Sequence, residues 1–308
     1  MQIAKNEVDM TYKIAIALLF CIAPATLGAQ TKLAPANLTF RNVGADVGLI
    51  PLGIGRKAIV GGVYGYGRSL TEVGFLLKPP GSIPQFMITV KSSWTSGLAT
   101  GVDAQDAFVV GGYCTANDCA SNVSKHGFLL ELQSGLIFRQ LDFPGSWTLP
   151  AAVNSSMVIV GTYCPSGSCY LQYPDHGFKY ENGVFTEITF PGATSTGVFG
   201  INDAGDMVGG YFTNGSPQAW LYRSGVYTTL NPPGSVGATA LGINNSGVVV
   251  GTFYDASNQL HGFTYQSGVF QQIDHPNATQ TSASGINDQN EIVGTYETTT
   301  GSVGYRAK

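Results

Sequence analysis

Short apolar runs separated by Gly-rich turns recur along the chain. Six times they take the same form: a Gly-Ile-Asn-like run, a tight turn, then a Val-Gly-x-Tyr-like run. The second run reads Ile59-Val60-Gly61-Gly62, Val110-Gly111-Gly112-Tyr113, Val160-Gly161-Thr162-Tyr163, Val208-Gly209-Gly210-Tyr211, Val250-Gly251-Thr252-Phe253 and Val293-Gly294-Thr295-Tyr296. Its first glycines are spaced by 50, 50, 48, 42 and 43 residues. A period of this size, built from short strands and Gly-rich turns, marks a propeller or a related repeat array.

The clearest repeat predicts four strands: Phe199-Gly200-Ile201-Asn202, a run from Asp206 to Phe212, Gln218-Ala219-Trp220-Leu221-Tyr222, and a run from Val226 to Leu230. Asp203-Ala204-Gly205 and Ser224-Gly225 read as the turns between them. The third strand recurs down to Gly304-Tyr305, and the chain ends at Lys308 before a fourth. The missing strand stands at the other end, where Asn37-Leu38-Thr39-Phe40-Arg41-Asn42 resembles the fourth strands. The expectation is an all-β, six-bladed propeller of four-stranded antiparallel blades, its last blade closed by the N-terminal strand. That closure removes the open edges of the array. An open solenoid is the alternative, and it leaves the complementary ends unexplained. Residues 1–29 read as a signal peptide, 30–36 as a short linker and 37–308 as one propeller domain.

Composition bears on the surroundings. Of 308 residues 44% are apolar, enough for a full core, while only 11% are charged and 41 are glycine. A net charge of −4 with no basic run argues against nucleic acid. At the N-terminus Lys13 precedes an apolar run from Ile14 to Ala25, and Leu27-Gly28-Ala29 ends it in small residues. This pattern reads as a secretory signal cleaved after Ala29, with Met10 as a candidate start. The run is too short for a membrane span. Four cysteines fit export: Cys114 and Cys119 form one pair, and Cys164 and Cys169 the other, each after the same Gly-x-Tyr. Three connectivities exist, and the repetition favours two local disulfides; a metal site shared by two blades is the rival reading.

A longer phrase also recurs: aromatic-x-x-Ile-Asp/Thr-x-Pro-Gly, then Gly-Ile-Asn-x-x-Gly, then Ile-Val-Gly-Thr-Tyr, then His-Gly-Phe. It stands here in Ile188-Thr189-Phe190-Pro191-Gly192, Gly200-Ile201-Asn202-Asp203-Ala204-Gly205 and His261-Gly262-Phe263. It resembles the bacterial extracellular repeat family named for its His-Ala-Phe (HAF) motif, over nearly all of residues 37–308. This chain has Gly in place of Ala at 127, 177 and 262. The resemblance implies a secreted, repetitive β protein and carries over no catalytic residue. The paired glycines also look like those of kelch repeats, without the matching Tyr and Trp spacing.

Candidate chemistry is sparse. His126, His176 and His261 hold one place in three repeats, which points to a structural hydrogen bond rather than to catalysis. His275 stands before Pro276, where other repeats have Phe or Pro, and reads as a surface substitution. Asn202-Asp203-Ala204-Gly205-Asp206 invites a calcium reading, but its counterparts around Asn244 and Asn287 have few carboxylates and share only turn chemistry. No nucleophile elbow, zinc-protease motif or phosphate loop is present. No cofactor and no metal are expected.

The two ends of the strands differ. Turns after the first and third strands are short and uniform. Loops after the second and fourth are long and variable; they hold both cysteine pairs, Tyr170, Tyr173, Trp94 and Trp147, the two Trp aligning in adjacent repeats. Variable loops on a rigid scaffold are where binding usually resides. The bland alternative is that both Trp rings cover the core. The reading is a secreted, monomeric binding module for a glycan or cell-surface polymer, engaged through Trp94, Trp147, Tyr170 and Tyr173. A lyase or glycoside hydrolase at the mouth of the channel is the second reading, with Asp103, Asp118 and Asp175 as residues to check. A structural repeat protein without specific ligand is the third.

Overall fold

The recurring phrases form strands because apolar β-branched and aromatic residues alternate with small ones over four to nine positions. A computed structural model describes residues 33–43, 49–63, 73–77, 86–88, 94–115, 126–133, 137–165, 176–213, 215–276 and 278–308. After β1 (Phe40–Val43), the first blade is β2 (Leu49–Ile54), β3 (Ile59–Val63), β4 (Val73–Leu77) and β5 (Phe86–Ile88). The second is β6 (Trp94–Val102), β7 (Phe108–Thr115), β8 (His126–Glu131) and β9 (Ile137–Leu141). The third is β10 (Ser146–Val153), β11 (Ile159–Pro165), β12 (His176–Glu181) and β13 (Val184–Ile188). The fourth is β14 (Ser195–Ile201), β15 (Met207–Phe212), β16 (Gln218–Arg223) and β17 (Val226–Thr229). The fifth is β18 (Ser235–Ile243), β19 (Val249–Asp255), β20 (Leu260–Gln266) and β21 (Val269–Ile273). Every pairing in these sheets is antiparallel between neighbours in sequence.

The expectation of six four-stranded blades is corrected here: five sheets are four-stranded blades, and the sheet where the chain closes is five-stranded. It consists of β22 (Gln280–Thr281), β23 (Gly285–Ile286), β24 (Ile292–Thr298), β25 (Gly301–Ala307) and β1. The inner position is split by Ser282. Its hydroxyl accepts the Thr295 N–H at 3.1 Å, and its carbonyl accepts the Tyr305 hydroxyl at 2.7 Å. Ser282 N still donates to Thr295 O and Ser284 N to Val293 O, so a side-chain bond replaces one rung of the ladder rather than the whole of it. At the outer edge Phe40 pairs with Ala307 and Val43 with Gly304, joining the two ends of the chain. Just before β1, Pro35 lies parallel to Gln272 of β21; Ala36 N donates to Gln272 O, and Gln272 N to Ala34 O.

Packing explains the phrases. In the five four-stranded blades the inner strands share a register shift at an equivalent place, just before Gly53, Gly101, Ala152, Gly200 and Gly242. Inner strands of neighbouring sheets meet there: a Cβ on Gly53 would lie 3.1 Å from Gly101 Cα, one on Gly200 3.1 Å from Gly242 Cα, and one on Gly285 3.2 Å from Gly53 Cα. The glycine of Val-Gly-x-Tyr answers a second crowding. A Cβ on Gly209 would fall 1.9 Å from Gly197 O and 2.9 Å from the Trp220 ring; on Gly251, 2.1 Å from Thr239 O and 2.8 Å from the Phe263 ring. Those rings, with Phe128, Phe178 and Tyr305, are fully buried and form the cores between sheets.

Candidate functional site

Two faces of the ring differ in chemistry, and the short-turn face is the better defined. The Asn of each Gly-Ile-Asn phrase is buried and does two jobs. Its Oδ1 holds its own turn: Asn154 Oδ1 accepts Ser156 N and Val158 N, Asn202 Oδ1 accepts Asp206 N, and Asn244 Oδ1 accepts Val248 N. Its Nδ2 reaches the neighbouring sheet. Asn154 donates to Asn202 O at 3.1 Å, Asn202 to Asn244 O at 3.2 Å, Asn244 to Asn287 O at 3.0 Å and Asn287 to Gly55 O at 3.0 Å. Only a side chain with both an acceptor and a donor can do this, which explains the asparagine. The glycine three positions later, as at 205 and 247, has φ of +83° and +74°, a left-handed conformation that glycine adopts without strain.

The chain of amides ends on Gly55 of the first blade, which has no side chain to carry it further, and in the second blade Asp103 takes the Asn place. Asp103 Oδ1 accepts Ala107 N and Phe108 N, and Oδ2 accepts Gln105 N. Burial pushes its carboxyl above the usual range against the pull of those three donors. The seam to the first blade is closed differently: Asp106 accepts Lys57 N at 2.9 Å and Ala58 N at 3.1 Å. An outer ring lies over the first. Asp203 accepts Ser155 N and the Ser155 hydroxyl, and Asn245 Nδ2 donates to both Asp203 Oδ2 and Asp288 Oδ2 at 2.8 and 2.9 Å. Asp206 Oδ2 holds Arg223 Nε at 2.7 Å and Asn202 Nδ2 at 3.3 Å. The carboxylates of the suspected calcium turn are therefore engaged by protein donors. Among the described residues no group of three or more His, Cys, Asp or Glu side chains is placed to hold a metal ion.

At the long-loop end, each His of a His-Gly-Phe phrase clasps the outer strand of its own blade. His126 Nδ1 donates to Asp142 Oδ2 at 2.9 Å, and Gln140 Nε2 to the same oxygen at 2.6 Å. His261 Nδ1 donates to Asp274 Oδ1 at 2.7 Å, its Nε2 lies 3.5 Å from Asp255 Oδ2, and Gln272 donates to Asp274. His176 Nδ1 donates to Glu187 Oε1 at 2.8 Å. Burial alone would lower the His261 imidazole, but the hydrogen bonds and charges of Asp274 and Asp255 raise it above its ordinary value. The acid partners were missed in the sequence, although the Asp/Thr of the aromatic-x-x-Ile-Asp/Thr phrase marks two of them.

The third blade gathers the most. Trp147, half-buried, is opposite Cys164; Tyr163, the preceding residue, is opposite His176. Tyr163 stacks on Phe143 at 3.7 Å and on His176 at 5.0 Å. Burial, followed by the charge of Glu187, pushes the Tyr163 hydroxyl up to about 12. The His176 hydrogen bond holds the Glu187 carboxyl below its ordinary range, and both His176 and Glu187 remain well exposed. Trp94 begins β6 opposite Thr115, whereas Cys114 is opposite Ser96. The two Trp residues are thus one pairing apart and do not align. The bulge between Trp94 and Ser96 causes the offset.

Cys114 and Cys164 are buried at the ends of β7 and β11. Cys119, Cys169, Tyr170, Tyr173, Asp118 and Asp175 lie outside the described residues. The residues displaced by the inner-strand bulges, Leu52, Thr100, Ala151, Phe199 and Leu241, include no carboxylate or histidine.

Solved structures supply the comparison. TolB from Acinetobacter baumannii is similar with a TM-score of 0.52 and 12% identity, over 80% of this chain and 63% of that one. The fold is a β-propeller. An oligogalacturonate lyase from Vibrio parahaemolyticus matches over 91% of this chain and 98% of its own, at 12% identity and a TM-score of 0.49. A virginiamycin B lyase from Staphylococcus aureus matches over 88% and 99%, at 11% identity and a TM-score of 0.47. At 12% identity the likeness to TolB shows the fold and nothing of activity. No family model matches the chain, and no curated protein is similar to it in sequence. No helix among the described residues is long and apolar enough to cross a membrane.

Proposed function

We propose that the chain is a secreted, monomeric binding module that engages a glycan or cell-surface polymer through the long-loop face. The observation that carries this reading is the end of the third blade, where Trp147 stays half-buried at the strand ends opposite Cys164, while exposed His176 and Glu187 occupy the other face of the same sheet. An accessible indole suits a sugar ring, whose C–H face is apolar. The short-turn face offers less, because its side chains are spent on each other. The reading includes Trp94, Tyr170 and Tyr173 as further contacts, and local Cys114–Cys119 and Cys164–Cys169 crosslinks that brace the loops. It also includes a signal peptide over residues 1–29 and membership of the bacterial His-Ala-Phe repeat proteins, on the strength of the phrases above.

A thermal-shift screen against oligosaccharides and polysaccharides tests the site, with Trp147→Ala and Trp94→Ala as controls. The reading expects a sugar that raises the wild-type melting temperature and fails to raise that of the variants. A shift that both variants keep would place binding elsewhere. Mass measurement after alkylation, with and without reduction, tests the crosslinks.

A further inference from the structure

His275 is the one histidine of the four that clasps no outer strand. It stands in the linker to the closing sheet, at the place of Phe143 and Phe190 in earlier linkers. Each of those rings stacks on the Tyr of the next sheet: Phe143 on Tyr163 at 3.7 Å and Phe190 on Tyr211 at 3.8 Å. His275 does the same on Tyr296, at 3.7 Å and 6°. It is a half-buried member of an aromatic cluster rather than a surface substitution. Its other neighbours are Phe40 of β1, edge-on at 4.8 Å, and Tyr305 of β25 at 6.4 Å.

We propose that His275 is an acid-sensitive latch on the N-terminal segment, residues 33–43, which closes the ring. That segment is held at three places: by Gln272 on β21, by the pairing of β1 with β25, and by Phe40 against His275 and Tyr305. A neutral imidazole packs there as phenylalanine does elsewhere. A protonated one must keep a charge among three aromatic rings, which its burial opposes.

Among the described residues, most charged and titratable groups of the surrounding elements have partners of their own. In its own linker, Asp274 holds His261. On β24, Tyr296 donates its hydroxyl to Asn42 and Glu297 accepts the Ser302 hydroxyl; on β25, Tyr305 donates to Ser282 O and Arg306 pairs with Glu291. On β1, Arg41 is exposed. Burial lowers the His275 imidazole below its ordinary value of 6.5. The stack therefore contributes in full above pH 6.5 and is lost as the pH falls through the lowered, folded-state value. Release would uncover the edges of β25 and β21.

Hydrogen exchange of the full chain between pH 7.5 and 4.5, corrected for intrinsic rates, tests the latch. Protection of residues 39–43 should fall by up to about tenfold per pH unit between 6.5 and the folded-state value and level off below it, while the third blade keeps its protection. His275→Phe should abolish that fall. An unchanged fall in His275→Phe, or an equal loss in all sheets, would overturn the proposal. Should the variant fold poorly, an NMR titration of His275 in the wild type decides: a midpoint at or above the ordinary imidazole value overturns it.

Discussion

Asn244 is the strongest point at which to test the amide chain that joins the sheets. Its Nδ2 donates to Asn287 O at 3.0 Å and to Asn290 Oδ1 at 2.8 Å, and its Oδ1 accepts Val248 N at 2.9 Å. Asn244→Asp keeps the shape and the turn bond but removes both donated bonds. It also turns a carboxylate oxygen toward a carbonyl oxygen in a site where the side chain is buried. Each neutral hydrogen bond contributes about 1 kcal/mol, and a buried acceptor left short adds about 1–3 kcal/mol. Asn287 O keeps the Asn290 N–H, so the lower end of that penalty applies. The sum is a loss of about 3 kcal/mol at pH 7. Urea unfolding, followed by tryptophan fluorescence, should show the midpoint moving down with little change in slope. Below about pH 4 the new carboxyl becomes protonated and can donate to Asn287 O, so part of the loss should return. A loss under about 0.5 kcal/mol at pH 7 would refute the reasoning, since a bond across a seam of this kind cannot be both structural and negligible.

Asp103→Asn supplies the donor toward the third blade that four other positions have but gives up the bond that Oδ2 accepts from Gln105 N, so the two should offset and stability should stay within about 1 kcal/mol; a urea midpoint lowered by the equivalent of more than about 2 kcal/mol would contradict it. Gly209→Ala should prevent folding or cost about 3 kcal/mol or more, since its Cβ would meet backbone 1.9 Å away; soluble expression and circular dichroism check this. The clasp of His261, raised above its ordinary value of 6.5, should contribute stability in full below pH 6.5 and lose it as the pH rises through the folded-state value. His261→Ala should flatten that part of the profile, and thermal melts between pH 6 and 9 would show it.

Much of this architecture was legible because the same packing problem is solved repeatedly. Gly209 and Gly251 announce an inner ring edge on a second strand, and Asn202 and Asn244 announce a turn, so strands and turns could be placed from the repeat. What the asparagines do beyond their own turn was hidden, because Nδ2 acts on a residue 42 to 48 positions away. The break in the closing sheet was missed for a similar reason. Ser282 has Thr239 as its counterpart in the fifth blade, so nothing in its residue type shows that its hydroxyl takes the Thr295 N–H. The repetition of His126, His176 and His261 points to hydrogen bonds, and each bonds a carboxylate of its outer strand or just after it. His275 was misread because sequence shows the substitution but not the tyrosine beneath it. Trp94 and Trp147 seemed equivalent by spacing, and one bulge separates them.

The central claim is that the long-loop face binds a glycan through the end of the third blade. Isothermal titration of the wild type and of Trp147→Ala with the sugar that gives the largest thermal shift tests it most directly. The account predicts saturable binding that weakens about two- to tenfold in the variant while its melting temperature holds, since one aromatic contact contributes about 0.5–1.5 kcal/mol. Equal affinity in the two proteins would contradict it.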